Sequence, residues 1–263
     1  MNTVLSADGT RIAYDTFGSE GATVILVSGA TGRRSDPFNT NLAELLASRF
    51  TVYNYDRRGR GDSGDTAPYA VDREIEDIAA LIDAAGGSAF VFGISSGGVL
   101  ALRAARRLPQ ITKVAAYEPP FVVDDSRPPL PADYVERLDA AIAAGRRGDA
   151  GEIFMIEAAG VPAEYLPGMH DLPFWPFLEE IAHTIAYDGR IMADTMSGKP
   201  LKAEWTELTT RALVVDGGEL PVMHSGAKNL AELAANIRHV TLGGQTHDVD
   251  PKVLAPVLID FFS

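Results

Sequence analysis

The run Gly93-Ile94-Ser95-Ser96-Gly97 sets a serine between two glycines, each two residues away, a spacing that suits a nucleophile. Ala89-Phe90-Val91-Phe92 ahead of it is β-prone, and Gly98–Arg107 behind it is Ala-rich with helical periodicity, so Ser95 falls at a strand-to-helix turn. In so sharp a turn the serine takes strained dihedrals, and Gly93 and Gly97 leave room because neither has a side chain. Ser95 then projects above the sheet. The amide of Ser96 sits at a helix N-terminus, where it can donate to a developing oxyanion. Two plainer readings use the same residues: a glycine turn that packs helix against strand, or one that cradles phosphate. Ser96 is the rival nucleophile, but as an interior residue of the motif it should point away, its hydroxyl only decorating the pocket.

A nucleophilic serine needs a base, and five histidines are available: His170, His183, His224, His239 and His247. His247 follows an expected strand, Arg238–Leu242, through Gly243-Gly244-Gln245-Thr246 and precedes an expected helix, Val253–Phe261. This puts it at the carboxyl edge of the sheet, on the rim that carries Ser95. His239 lies inside that strand, His170 and His183 lie in a mid-chain insertion, and His224 falls at a helix start.

Three carboxylates compete to orient the imidazole, all between the serine and the histidine in chain order. Glu118 closes the expected strand Ile111–Tyr117, and Pro119-Pro120 stops the ladder beyond it, which projects the carboxylate towards the histidine. Asp216 and Glu219 lie in Asp216-Gly217-Gly218-Glu219-Leu220-Pro221 after the next strand, where Leu220 stands at the position expected for an acid. Glu118 is favoured, with Glu219 and Asp216 kept as alternatives. A second oxyanion donor is expected from Gly29 or Ala30, in the small-residue turn leaving the run Ala22–Val27.

The elements that must hold these groups alternate. Strands are expected at Thr10–Thr16, Ala22–Val27, Thr51–Tyr55, Ala89–Phe92, Ile111–Tyr117, Ala212–Val215 and Arg238–Leu242. Helices are expected at Asn41–Ser48, Ala70–Ala85, Gly98–Arg107 and Gly226–Ala235. Such alternation predicts an α/β fold, a mostly parallel central sheet flanked by helices. The order breaks between Phe121 and Lys202. That stretch carries two Pro pairs, helical patterns at Ala132–Ala144 and Gly151–Ala159, and the aromatic run Pro173-Phe174-Trp175-Pro176-Phe177. The expected organisation is a core of 1–120 and 203–263 with a helical cap of 121–202 inserted after strand six. Met155, Met169, Phe174, Trp175 and Phe177 suggest an apolar substrate beneath the cap.

Composition narrows the remaining classes. In the 263 residues, 36 Asp and Glu outweigh 23 Lys and Arg, a net charge of −13, which argues against nucleic acid and against polybasic membrane attachment. The absence of cysteine removes disulfides, thiolate metal sites and thiol catalysis together. No metal or cofactor is expected. No stretch approaches the ~18 apolar residues of a membrane span, and Met1–Asp8 lacks the regions of a signal peptide, so a cytoplasmic protein is expected. Self-association into a homodimer is left open.

At the elbow, the sequence resembles the α/β-hydrolase family over nearly its whole length. Tyr55-Asp56-Arg57-Arg58-Gly59-Arg60-Gly61-Asp62-Ser63-Gly64 is similar to the Asp-x-x-Gly-x-Gly-x-Ser loop that these enzymes carry after the fourth strand. Its glycines make a turn and its charges are expected to pair locally. An acid after strand six is the minority arrangement in the family and resembles the macrolactone-opening hydrolases of the zearalenone-degrading type. That likeness implies Ser95, Glu118 and His247 as the triad and Trp175 as a substrate contact. The cap diverges from them, and Ser28 replaces the His often found before the oxyanion glycine. The resemblance implies a cofactor-free serine esterase or lactonase acting on a small apolar substrate through an acyl-enzyme. A lyase or carbon–carbon bond hydrolase on the same fold is the alternative, and a ligand-binding module without catalysis a third. The aspartate nucleophile of haloalkane dehalogenases and typical epoxide hydrolases is replaced here by Ser95.

Overall fold

Eight strands form one sheet in a computed structural model that describes residues 1–201 and 203–263. They are β1 (Asn2–Leu5), β2 (Arg11–Phe17), β3 (Thr23–Val27), β4 (Thr51–Tyr55), β5 (Ala89–Ile94), β6 (Ile111–Tyr117), β7 (Arg211–Gly218) and β8 (Ile237–Gln245), in the order β1-β2-β4-β3-β5-β6-β7-β8. β1 and β2 pair antiparallel with their neighbours, and from β4 to β8 every pairing is parallel.

The central strands read as unbroken apolar runs because both sheet faces are covered. All five residues of β3 are buried; Ile25 and Val27 face one helical layer, Val24 and Leu26 the other. The first layer holds α2 (Val71–Ala84), α3 (Ser96–Arg107) and α9 (Pro221–Leu233); the second holds α1 (Pro37–Leu46) and α10 (Pro251–Phe262). α1, α9 and α10 each carry proline in the first turn, where its missing N–H costs no helical bond. Among the described residues, no helix is long and apolar enough to cross a membrane.

Between β6 and β7 the chain leaves the sheet to build a helical cap of α4 (Tyr134–Ala143), α5 (Arg147–Ile153), α6 (Leu166–His170), α7 (Phe174–Glu180) and α8 (Ile185–Met192). Tyr134, Leu138, Trp175, Leu178 and Ile185 give it an apolar centre of its own. The architecture is the α/β-hydrolase fold with its cap inserted after strand six. Lys202, the last residue of the expected cap, lies outside the described residues.

Two elements differ from the sequence-based expectation. β1, which lies outside the expected strands, is a mostly exposed four-residue edge strand, too short to show an alternating pattern. The expected helix Gly151–Ala159 instead starts at Arg147 and widens into a π-helical turn over Phe154–Ala158.

Candidate active site

Ser95 joins β5 to α3 with φ +55°, one of three non-glycine residues with positive φ among those described; Glu118 is another, at φ +41°. Side chains rarely adopt these dihedrals, and they persist only where packing overdetermines them. The packing is visible at both flanking glycines. A Cβ on Gly97 would lie 2.4 Å from the carbonyl oxygens of both Val27 and Ser28, and one on Gly93 would lie 2.2 Å from the Gly97 carbonyl oxygen. The elbow is therefore pressed against the end of β3, which brings the Ser28–Ala30 turn beside Ser95. From the other side, the Ser95 amide donates to the Tyr117 carbonyl at 2.9 Å.

Glu118 is fully buried at the end of β6. One carboxylate oxygen lies 2.8 Å from His247 Nδ1, and the other accepts the Gly217 amide at 3.0 Å. In this hydrogen bond Nδ1 donates to the Glu118 oxygen, the tautomer that leaves the Nε2 lone pair free. β8 ends two residues before His247, and the Tyr117 hydroxyl donates to the Thr246 carbonyl at 2.6 Å, which ties the histidine loop to β6. Burial, with the charges of Glu118 and Asp216, raises the pKa of Tyr117, keeping it a neutral donor. Ser95 and His247 line one cavity of about 660 Å³.

The other two carboxylates go elsewhere. Asp216 is fully buried but contacts His224, His239 and Thr241 rather than His247. Glu219 is exposed, and its neighbour Leu220 lines the cavity.

Gly29 and Ala30 also line the cavity. Arg60 Nη1 donates to the Gly29 carbonyl at 2.7 Å, so the planar trans peptide turns the Ala30 N–H away from the arginine. The Ser96 amide opens α3, where no preceding turn of helix supplies a carbonyl. The Ser96 hydroxyl does not decorate the pocket. Fully buried, it donates to Asp188 Oδ1 at 2.7 Å.

Asp188 exposes a part of the site that sequence reasoning missed. It stands on α8 in the cap, fully buried, and pairs with Arg57 at 2.7 Å and with Arg60. Arg57 also forms a two-pronged pair with Glu74, both contacts 2.7 Å. Burial opposes the Asp188 charge, yet Arg57 and Arg60 hold its pKa below the usual carboxylate value. Burial also opposes the Arg57 charge, which Asp188 and Glu74 restore, whereas burial and the like charge of Arg57 leave Arg60 lowered despite Asp188. The expected local pairing of the Asp56–Gly64 loop is thus only half of its role: the loop also reaches more than 120 residues along the chain into the cap.

The cap residues that meet the cavity differ from those expected. Phe154, Ala158, Met192 and Met196 line it, with Met223 from α9. Trp175 is packed in the cap's own apolar centre and donates Nε1–H to Glu179 at 3.0 Å. Met155 packs against that same centre, and Phe174 lies on the outer surface. The structure does not bring Trp175, Phe174 or Met155 to the cavity. Phe154, at the start of the π-helical turn, lines the cavity where its neighbour Met155 does not.

Residues 24–257 match the sequence model of the alpha/beta hydrolase family. The chain belongs to the alpha/beta hydrolase family. A crystal structure of an alpha/beta hydrolase from Sphaerobacter thermophilus is 52% identical over 100% of both chains, with a TM-score of 0.89. The enol-lactonase of Burkholderia xenovorans is 20% identical over 98% of this chain and 99% of its own, with a TM-score of 0.68, and so shares the hydrolase fold. N-formylmaleamate deformylase of Pseudomonas putida is 35% identical over 122 residues, 44% of each chain. The match spans 44% of the length of the curated hydrolases to which this chain is similar.

Proposed function

We propose that this hydrolase cleaves carboxylic esters or lactones with an apolar moiety through an acyl-enzyme on Ser95. The observation that carries the reading is the His247–Glu118 pair, its acid buried and held by a second hydrogen bond, at the cavity that Ser95 also lines. In this mechanism His247 Nε2 takes the proton as Ser95 Oγ bonds to the substrate carbonyl carbon. Glu118 stabilises the imidazolium, and the Ala30 and Ser96 amides donate to the oxyanion, where one donor is worth about 100-fold or more. Collapse breaks the bond to the alkoxide, which takes the proton from His247; in a lactone this alcohol stays tethered to the acyl group. Water, deprotonated by the same histidine, then frees the acid and restores Ser95.

The apolar side chains that the cap turns inward support an apolar substrate, and the fold shared with an enol-lactonase is compatible with a lactone. The division into a core of 1–120 and 203–263 and a cap of 121–202 belongs to the same proposal. A second reading, cleavage of an N-formyl amide, draws on the P. putida deformylase. One panel separates the two: short and medium acyl esters, small and macrocyclic lactones, and N-formyl amides, each with the native chain and Ser95→Ala. Ester or lactone turnover that falls by at least about 10⁴-fold in Ser95→Ala is expected. Turnover confined to formyl amides would replace the first reading by the second, and ester turnover unchanged in Ser95→Ala would overturn both.

A further inference from the structure

The end of β7 carries a cluster that the proposed reaction does not use. In register, Asp216 pairs with Thr241 and Val214 with His239, so His239 and Thr241, two residues apart, share one face of the edge strand β8. α9 packs on that face and brings His224 from its first turn. Asp216 Oδ1 lies 3.3 Å from His224 Nδ1, and Oδ2 meets His239 Nε2 and accepts the Thr241 hydroxyl at 3.1 Å. The Thr241 oxygen is 3.4 Å from His224 Nδ1 and 3.5 Å from His239 Nε2. One ligating atom from each of Asp216, His224 and His239 falls within 4.8 Å of the others.

Apart from Glu118, which faces His247, the other buried carboxylates are paired with guanidinium groups: Asp56 with Arg34, Glu74 with Arg57, Asp77 with Arg58, and Asp188 with Arg57 and Arg60. Among the described residues, Asp216 has no such partner. Its polar contacts are two imidazoles and a hydroxyl. A tetrahedral ion bound at about 2.0–2.1 Å holds its ligands about 3.3 Å apart, the separation of Asp216 Oδ1 and His224 Nδ1; His239 Nε2, in direct contact with Oδ2, has to draw back to admit the ion. The His224 side chain is 47% exposed, which gives an ion a path from solvent.

We propose that Asp216, His224 and His239 form a site for a divalent transition-metal ion of the Zn²⁺ class, with the Thr241 hydroxyl fixing the carboxylate. Two imidazole nitrogens and one carboxylate oxygen suit Zn²⁺, Co²⁺, Ni²⁺ or Cu²⁺; Mg²⁺ and Ca²⁺ require more oxygen ligands. Next to Asp216 is Gly217, whose amide holds Glu118, so a bound ion would brace the strand end that supports the His247–Glu118 pair. The site is structural, and it stands whatever bond the enzyme cleaves.

The test uses the full-length untagged chain, stripped with EDTA and exchanged into clean buffer, then titrated with CoCl₂ and ZnCl₂. One Co²⁺ per chain with the visible absorption of low-symmetry coordination, and a Zn²⁺-dependent rise in melting temperature, are expected. His239→Ala and His224→Ala should each weaken Zn²⁺ binding by about tenfold or more. His224 is half exposed, so its variant folds even if the other does not. His170→Ala, which removes the partner of Glu152 in the cap, should change nothing. No Co²⁺ spectrum and no Zn²⁺ shift at millimolar ion would overturn the proposal. So would binding as tight in the His224 variant as in the native chain, a signal lost in the His170 variant, or an equal shift with Mg²⁺.

Discussion

Removing the Asp188 carboxylate should destabilise the fold strongly, because it strips a buried guanidinium of its counter-charge. Asp188→Ala leaves Arg57 with Glu74, but Arg60 keeps only the Thr184 hydroxyl at 3.1 Å and the Gly29 carbonyl at 2.7 Å. Both guanidiniums are about 1% exposed, so water cannot take over the missing charge. Breaking one side of a buried ion pair costs about 3–5 kcal/mol, against a total stability of about 5–15 kcal/mol. The expected loss is therefore a large fraction of the whole. Urea denaturation followed by tryptophan fluorescence should show the midpoint fall with little change in slope. Replacing Arg60 as well, by Met, should recover much of the loss, because an apolar pair can fill the same space without an orphan charge. A single-variant loss below about 1 kcal/mol, or a double variant no better than the single, would refute the reasoning. The same carboxylate has a pH signature. Its folded pKa is below the ordinary 3.8, so the unfolded state binds more protons there, and its contribution is complete above that pH and lost as pH falls through the folded value. Asp188→Asn should flatten the acid limb of the stability profile.

Three further outcomes bear on the site. Glu118→Gln should lower ester turnover by about 10³-fold or more, while Glu219→Gln, at an exposed position, should leave it within about twofold; equal effects would remove Glu118 from its role. Gly97→Ala should cost about 3 kcal/mol or more, read as a drop in melting temperature or loss of folded protein, because the new Cβ meets two backbone oxygens at 2.4 Å. Tyr117→Phe should lower turnover without a comparable rise in KM, since only the tether to Thr246 behind His247 is lost; unchanged turnover would show that the loop needs no tether.

Much of this arrangement is legible in the residues because local chemistry and tertiary need coincide. The elbow announces itself because only glycine tolerates the crowding at 93 and 97, and the strand end at Glu118 because Pro119-Pro120 cannot continue a ladder. β4 and β6 match their expected limits, both being rich in β-branched and aromatic residues and followed by polar or proline residues. What sequence could not give is direction. Which face of each cap helix turns inward depends on how it packs on its neighbours, and Phe154, Met192 and Met196 line the cavity where Met155 and Trp175 are expected. Nor does a polar residue name its distant partner. Three arginines in one loop read as a charged turn, yet all three are buried and two of them meet a cap aspartate. The signal available was Asp188 itself, the one acid in the stretch Ile181–Met192.

The central claim is that Ser95, activated by His247, attacks an acyl carbon. Incubating the native chain with a fluorophosphonate probe and mapping the adduct by mass spectrometry tests it most directly. Covalent modification at Ser95, absent in Ser95→Ala and greatly slowed in His247→Ala, is the predicted result. Modification at Ser96 or another residue with Ser95 untouched, or labelling as fast in His247→Ala as in the native chain, would contradict it.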